Sequence, residues 1–171
     1  MLLIDMSITF ENAIQQTQDL LNQIEFLDTD TITQKITELV STENGARGFF
    51  VTYSTSDLSY TEYPSLEVIT ALKTSPILVN ELLVKNLAMS TAMVIYHRSQ
   101  GDEANAQGSE KVQEKTGQLI KQLLSQSLGE KLQQLATSLN TGQGEYQAFL
   151  ERWGYDDCQR QAIAEIIQPF L

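Results

Sequence analysis

The stretch from Pro76 to about Arg98 is apolar nearly all the way round a helix. Ile77, Leu78, Val79, Leu82, Leu83 and Val84 are followed by Leu87, Ala88, Met89, Ala92, Met93, Val94 and Ile95. At 3.6 residues per turn these side chains leave no polar face, and a helix of that kind is buried among others. Ser75-Pro76 supplies its start, because proline suits the first helical position and the residue before it avoids the helical region. A buried helix of this length needs a shell of partners. The sequence therefore predicts an all-α, single-domain globular helical array, residues 1–171, around a central apolar helix at about 76–98.

The flanking segments supply that shell. Phe10, Ala13, Ile14, Thr17, Leu20, Leu21, Ile24 and Leu27 repeat every three or four residues, predicting an amphipathic helix from about Thr9 to Leu27. A second is predicted from Thr31, paired with Gln34 as a capping box, to about Ser41. Ser65 caps a short helix over 66–72. Further helices are expected from Ser109 to about Gln126, from Ser127 to Leu139, around Tyr146 to Trp153 with Gly154 as terminator, and from Asp156 to Pro169. Asp156 with Gln159 has capping spacing, and Trp153 is expected to be buried beside that cap. Ser99 to Gly108 reads as a loop or a frayed first turn. Two features break the helical pattern. Glu43-Asn44-Gly45 reads as a turn, and Gly48-Phe49-Phe50-Val51-Thr52-Tyr53 is rich in aromatic and β-branched residues. Residues 48–53 are therefore expected to form one short strand or extended segment.

Charge narrows the functional classes. The chain carries 22 acidic and 11 basic side chains, a formal charge of −11. Residues 1–34 hold six carboxylates and no lysine or arginine, and residues 1–85 hold 12 acidic against 4 basic side chains. Direct binding of DNA or RNA requires a basic footprint and is not expected. Docking on anionic lipid is disfavoured in the same way. The longest apolar window, Ile77 to Tyr96, contains Asn80, Glu81, Lys85, Asn86, Ser90 and Thr91, and so reads as a core helix. Met1 to Asp5 lacks the basic region and apolar length of a secretory leader. A single cysteine, Cys158, fits a reducing cytoplasm.

Catalytic constellations are scarce. With one histidine and one cysteine, a zinc site of Cys/His type cannot be assembled, and a nucleophilic triad could draw only on His97. There is no phosphate loop and no nucleophile elbow. Cys158 reads as inert, with Arg160 the nearest basic neighbour in sequence. Glu81 and Lys85 have the spacing of an ion pair on one helix face. Asn86, Ser90, Met93 and His97 are the candidates for lining a small-molecule or cofactor pocket, with His97 the single imidazole available as an axial ligand for a haem. The ordinary alternatives are hydrogen bonds to backbone for the polar residues and a helix C-terminal histidine stabilised by the dipole. No cofactor or metal is implied. The leading expectation is a non-enzymatic, acidic adaptor or regulatory domain that binds a protein, either a different one or a second copy in a homodimer. The alternative is a ligand-binding helical bundle with its pocket beside those four residues.

Overall fold

The computed structural model describes residues 7–171, so the apolar N-terminal run from Met1 to Asp5 lies outside the described residues. The fold is all-α, with nine helices and no strand among the described residues. Contacts divide the chain into two compact units, with the division between Val79 and Asn80.

The first unit holds α1 (Phe10–Asn22), α2 (Thr29–Val40), α3 (Glu43–Thr55) and α4 (Leu66–Leu72). α1 starts where Thr9 accepts the Asn12 N–H at 3.1 Å, but it stops at Asn22, short of Leu27, and a 3-10 turn covers Ile24–Phe26. α2 is capped by Asp28, which accepts the Thr31 N–H at 2.7 Å, three residues earlier than the Thr31 cap that the spacing suggested. Ser65 caps α4 as expected. α3 packs against α1 and α2, and α2 also packs against α4.

The expected strand is the clearest departure. Residues 48–53 lie inside α3, and Glu43-Asn44-Gly45 is its first turn, with Thr42 accepting the Gly45 N–H. The reason is burial. Phe49, Phe50 and Tyr53 are almost wholly buried, with Phe49 and Tyr53 stacked at 5.4 Å, and only Val51 of that segment is exposed. The exposed stripe of α3, Glu43, Asn44, Arg47, Val51 and Thr55, carries an apolar Val51, while Gly45, Gly48, Thr52 and Ser54 lie on its buried side, so the amphipathic period is blurred and its β-favouring composition is what remains visible in the sequence. Gly48 explains how α3 comes so close to α1. A Cβ there would collide with Ala13 Cβ and sit 2.9 Å from the Ile14 backbone nitrogen. The glycine that looked like part of a strand is thus a helix-crossing contact.

The second unit is built on α5 (Pro76–Ser99), whose first turn precedes the division. α6 (Glu103–Leu123), α7 (Gln126–Thr141), α8 (Gln147–Trp153) and α9 (Asp157–Ile167) follow. α5 starts at Pro76 as expected and is the central helix of this unit, packing against α6. It is the one described helix long and apolar enough to cross a membrane, and more than half of its apolar window is buried inside the protein. α6 begins at Glu103, six residues before the predicted Ser109, because Asp102 caps it through the Asn105 N–H. α7 is capped by Ser125 and not by Ser127. Gly154 ends α8 in the left-handed region at φ 61°, and Asp156 and Gln159 form the full capping box of α9.

Two glycines test this packing with opposite signs. Gly48→Ala forces α1 and α3 apart and is expected to cost about 1–3 kcal/mol, as overpacked cores do. Gly117→Ala, within α6 and with no atom within 4 Å of the added carbon, is expected to gain about 0.5–1 kcal/mol by removing a flexible residue from a helix interior. Urea unfolding followed by circular dichroism measures both.

Candidate functional site

Asn86, Ser90, Met93 and His97 are spaced four, three and four residues apart, which puts them on one face of α5. The face is not uniformly polar or accessible. Ser90 is buried and donates its hydroxyl hydrogen bond to the Leu87 carbonyl at 3.2 Å. Its neighbour Thr91 donates to the same carbonyl at 2.7 Å and accepts from Gln113 Nε2 of α6 at 2.9 Å. These hydroxyls are spent on the helix and on α6. Asn86 is half-buried and Met93 exposed. His97 is half-buried at the corner between α5 and α6, with Nδ1 3.9 Å from Asp102 Oδ2 and its ring edge-on to Tyr96. The same Asp102 donates its backbone N–H to the His97 carbonyl. Hydrogen bonds from the Asn105 side chain and backbone, with His97 nearby, hold the Asp102 carboxyl below the usual carboxylate range. His97 therefore belongs to the joint that turns α5 into α6.

None of the four lines either of the two grooves described below. Among the described residues no three His, Cys, Asp or Glu side chains converge as metal ligands. Cys158 is exposed in the first turn of α9. Trp153, expected to be buried, is half exposed, with the Arg152 guanidinium over its ring at 5.7 Å. The aromatics buried at that corner are Tyr146 and Tyr155, each edge-on to Phe149.

The most connected ionisable group is Glu81. The predicted pair with Lys85 is present at 3.2 Å through Oε1. Oε2 meets Lys131 Nζ of α7 at 2.8 Å and accepts the Tyr146 hydroxyl, just before α8, at 3.1 Å. Partial burial pushes the Glu81 carboxyl up, but the hydrogen bonds from Lys131 and Lys85 outweigh it and hold the carboxyl below its ordinary value. Burial, and then the Glu81 charge, push the Tyr146 hydroxyl upward. With both oxygens engaged, Glu81 serves as a strut between helices and is poorly placed to act as a general base. Periodicity revealed only the partner four residues away, since Lys131 and Tyr146 are 50 and 65 residues distant.

The surface separates the two units more sharply than any cluster does. Phe26, Ile77, Leu66 and Tyr63 are 86, 82, 78 and 73% exposed, and all four belong to the first unit. In the second unit the most exposed large hydrophobic is Trp153, at 50%. Residues 1–79 carry 3 basic against 11 acidic side chains, a net −8, and residues 80–171 carry 8 against 11, a net −3. A groove of about 210 Å³ runs between α1 and α2 in the first unit. A wider one, of about 630 Å³, lies between α7 and α9, with small side chains such as Ala136 and Ala164 beside Gln133, Thr137 and Gln161.

The family described as Uncharacterised conserved protein UCP020893 matches residues 9–170, nearly the whole chain. No curated protein and no solved structure matches the chain.

The Glu81 strut makes a pH-dependent prediction. Its folded pKa is depressed, so the stability it adds is fully present above its ordinary value of 4.5 and is lost as the pH falls through the lower folded value. Glu81→Gln is expected to destabilise the protein by about 1 kcal/mol at neutral pH, a modest figure because the pair is partly exposed. The difference from wild type should shrink below pH 4.5. Thermal unfolding of both proteins across this range measures it, and a difference that is flat with pH would remove the strut.

Proposed function

The chain belongs to the family matched over residues 9–170, and we propose that it is a non-enzymatic, acidic adaptor or regulatory domain that docks a protein partner. One observation carries this reading: the four most exposed large hydrophobics among the described residues lie in the unit with the stronger negative charge. Single exposed apolar side chains are ordinary on a protein surface, so what supports the reading is that the most exposed of them all fall in the more acidic unit. Aromatic anchors such as Phe26 and Tyr63 are the kind that dominate interface energies. The charge around them adds a preference. Complementary potentials steer encounter and suppress wrong partners, so a net −8 unit favours a basic partner. A second copy of the chain would bring the same negative charge to the interface, which disfavours a homodimer through this surface. The chemistry at hand also points away from catalysis. Glu81 is tied by two lysines and a tyrosine, and His97 is held in the α5–α6 corner.

Recovery of the tagged chain from its own cells at low salt tests this reading. The wild-type chain is expected to hold a basic protein in stoichiometric amount. The variant Phe26→Ser, Tyr63→Ser, Leu66→Ser and Ile77→Ser is expected to release it. Each anchor lost costs about 2 kcal/mol, roughly thirtyfold in affinity. Because the four side chains are exposed, the variant should unfold within a few degrees of wild type. A chain recovered alone and monomeric at every salt, or a partner held equally by the variant, would overturn the proposal. A doubled mass in sedimentation that disappears in the variant would identify a second copy as the partner.

A further inference from the structure

The groove between α1 and α2 has the chemistry of an anchor site for a basic side chain. Its apolar lining comes from Leu20 on α1, Leu27 after the 3-10 turn, and Leu39 on α2. Asp19 lines it from α1 and Glu38 from α2. Each carboxylate is steadied from its own helix: Gln15 Nε2 donates to Asp19 Oδ1 at 2.9 Å, and Gln34 Nε2 donates to Glu38 Oε1 at 3.1 Å. Lys35 also lines the groove, leaving the carboxylates in a majority of two to one. The surrounding sequence is more one-sided, because residues 7–34 contain Glu11, Asp19, Glu25, Asp28 and Asp30 and no lysine or arginine. Phe26, the most exposed large hydrophobic of the described residues, stands between Gln23 and Leu27, which both line the groove.

The geometry points to this groove as the docking site for an arginine-bearing segment of a basic partner protein. The inference rests on the interaction reading above and adds the partner's chemistry. A volume of about 210 Å³ holds one long side chain, being roughly seven waters at about 30 Å³ each. Arginine suits it better than a purely apolar anchor. Its methylene stem lies along leucine surface while its charged head stays at a polar rim. The planar guanidinium pairs with carboxylates, and Asp19 and Glu38 supply that partner on the two walls of the groove. An acidic segment would meet these carboxylates with like charge. A purely apolar side chain would cover them without pairing, at the cost of their hydration.

The test uses the full chain, isotopically labelled, and two blocked hexapeptides. One alternates leucine with arginine, and the other alternates leucine with glutamate. The arginine peptide is expected to shift backbone amide signals at Gln16, Leu20, Gln23, Lys35 and Glu38. Its affinity should fall about tenfold in Asp19→Asn with Glu38→Gln, and also at high salt, as for a rim-charge contact. Both carboxylates are exposed, so this variant should keep the wild-type spectrum elsewhere. Equal binding of the glutamate peptide, shifts confined to other residues, or no shift with the arginine peptide at millimolar concentration would overturn the proposal. The recovery experiment above reports separately. A partner released by the four-serine variant, with no arginine peptide bound at the groove, removes this site and leaves the interaction reading standing. Peptide binding at the groove with no partner recovered does the reverse.

Discussion

A helix with no polar face cannot be left in water, and the second unit is organised by that constraint. Burial alone would not fix how its neighbours sit on it, because leucine packs acceptably against leucine in many registers. The register comes from polar contacts, and each of the four other helices makes one. Gln113 of α6 reaches Thr91. Ser127 and Lys131 of α7 reach Asn80 and Glu81. Tyr146, at the start of α8, reaches Glu81, and Gln159 of α9 donates to the Ala92 carbonyl. The few polar residues on α5 are therefore the means by which an otherwise undirected apolar helix holds its neighbours in place. A ligand cavity beside Ser90 would have to compete with the bonds that Ser90 and Thr91 already make to the Leu87 carbonyl.

Much of this was legible in the sequence, for local reasons. Pro76, Ser65, Thr9 and the Asp156–Gln159 capping box mark helix starts through contacts within three or four residues, and Gly154 marks an end through its own backbone angle. The failures have the opposite origin. α3 was hidden because its exposed stripe carries Val51 while small and polar residues lie on its buried side, and because Gly45 looks like a turn residue and Gly48 like part of a strand until Leu39 and α1 are seen pressed against them. The early start of α6 was missed because Asp102 stands in a run of polar residues where any of several could cap. Glu81 shows both sides at once. Its partner one turn away was readable, and its two partners on other elements were not. The exposed positions of Leu66 and Ile77 were also beyond the sequence, since periodicity counts an apolar residue within a helix as inward.

These features divide the labour of the chain. The second unit ties six of its charged side chains into ion pairs across or beside its helices: Glu81 with Lys85 and Lys131, and Arg98 with Glu103 and Glu110. The first unit uses aromatic packing inside, with Phe49, Phe50 and Tyr53 buried together, and leaves its carboxylates and its largest exposed hydrophobics on the outside. In the proposed docking, the surrounding negative charge selects against acidic proteins and copies of the same chain.

Site-specific photo-crosslinking in the living cell tests this division most directly. A benzophenone side chain is placed singly at Phe26, Tyr63, Leu66 and Ile77, and for comparison at the exposed Leu124 and Trp153 of the second unit. A discrete crosslinked protein is expected from the first-unit positions and none from the comparison positions. Crosslinks of equal yield at Leu124 and Trp153, or none from any of the four first-unit positions, would contradict it.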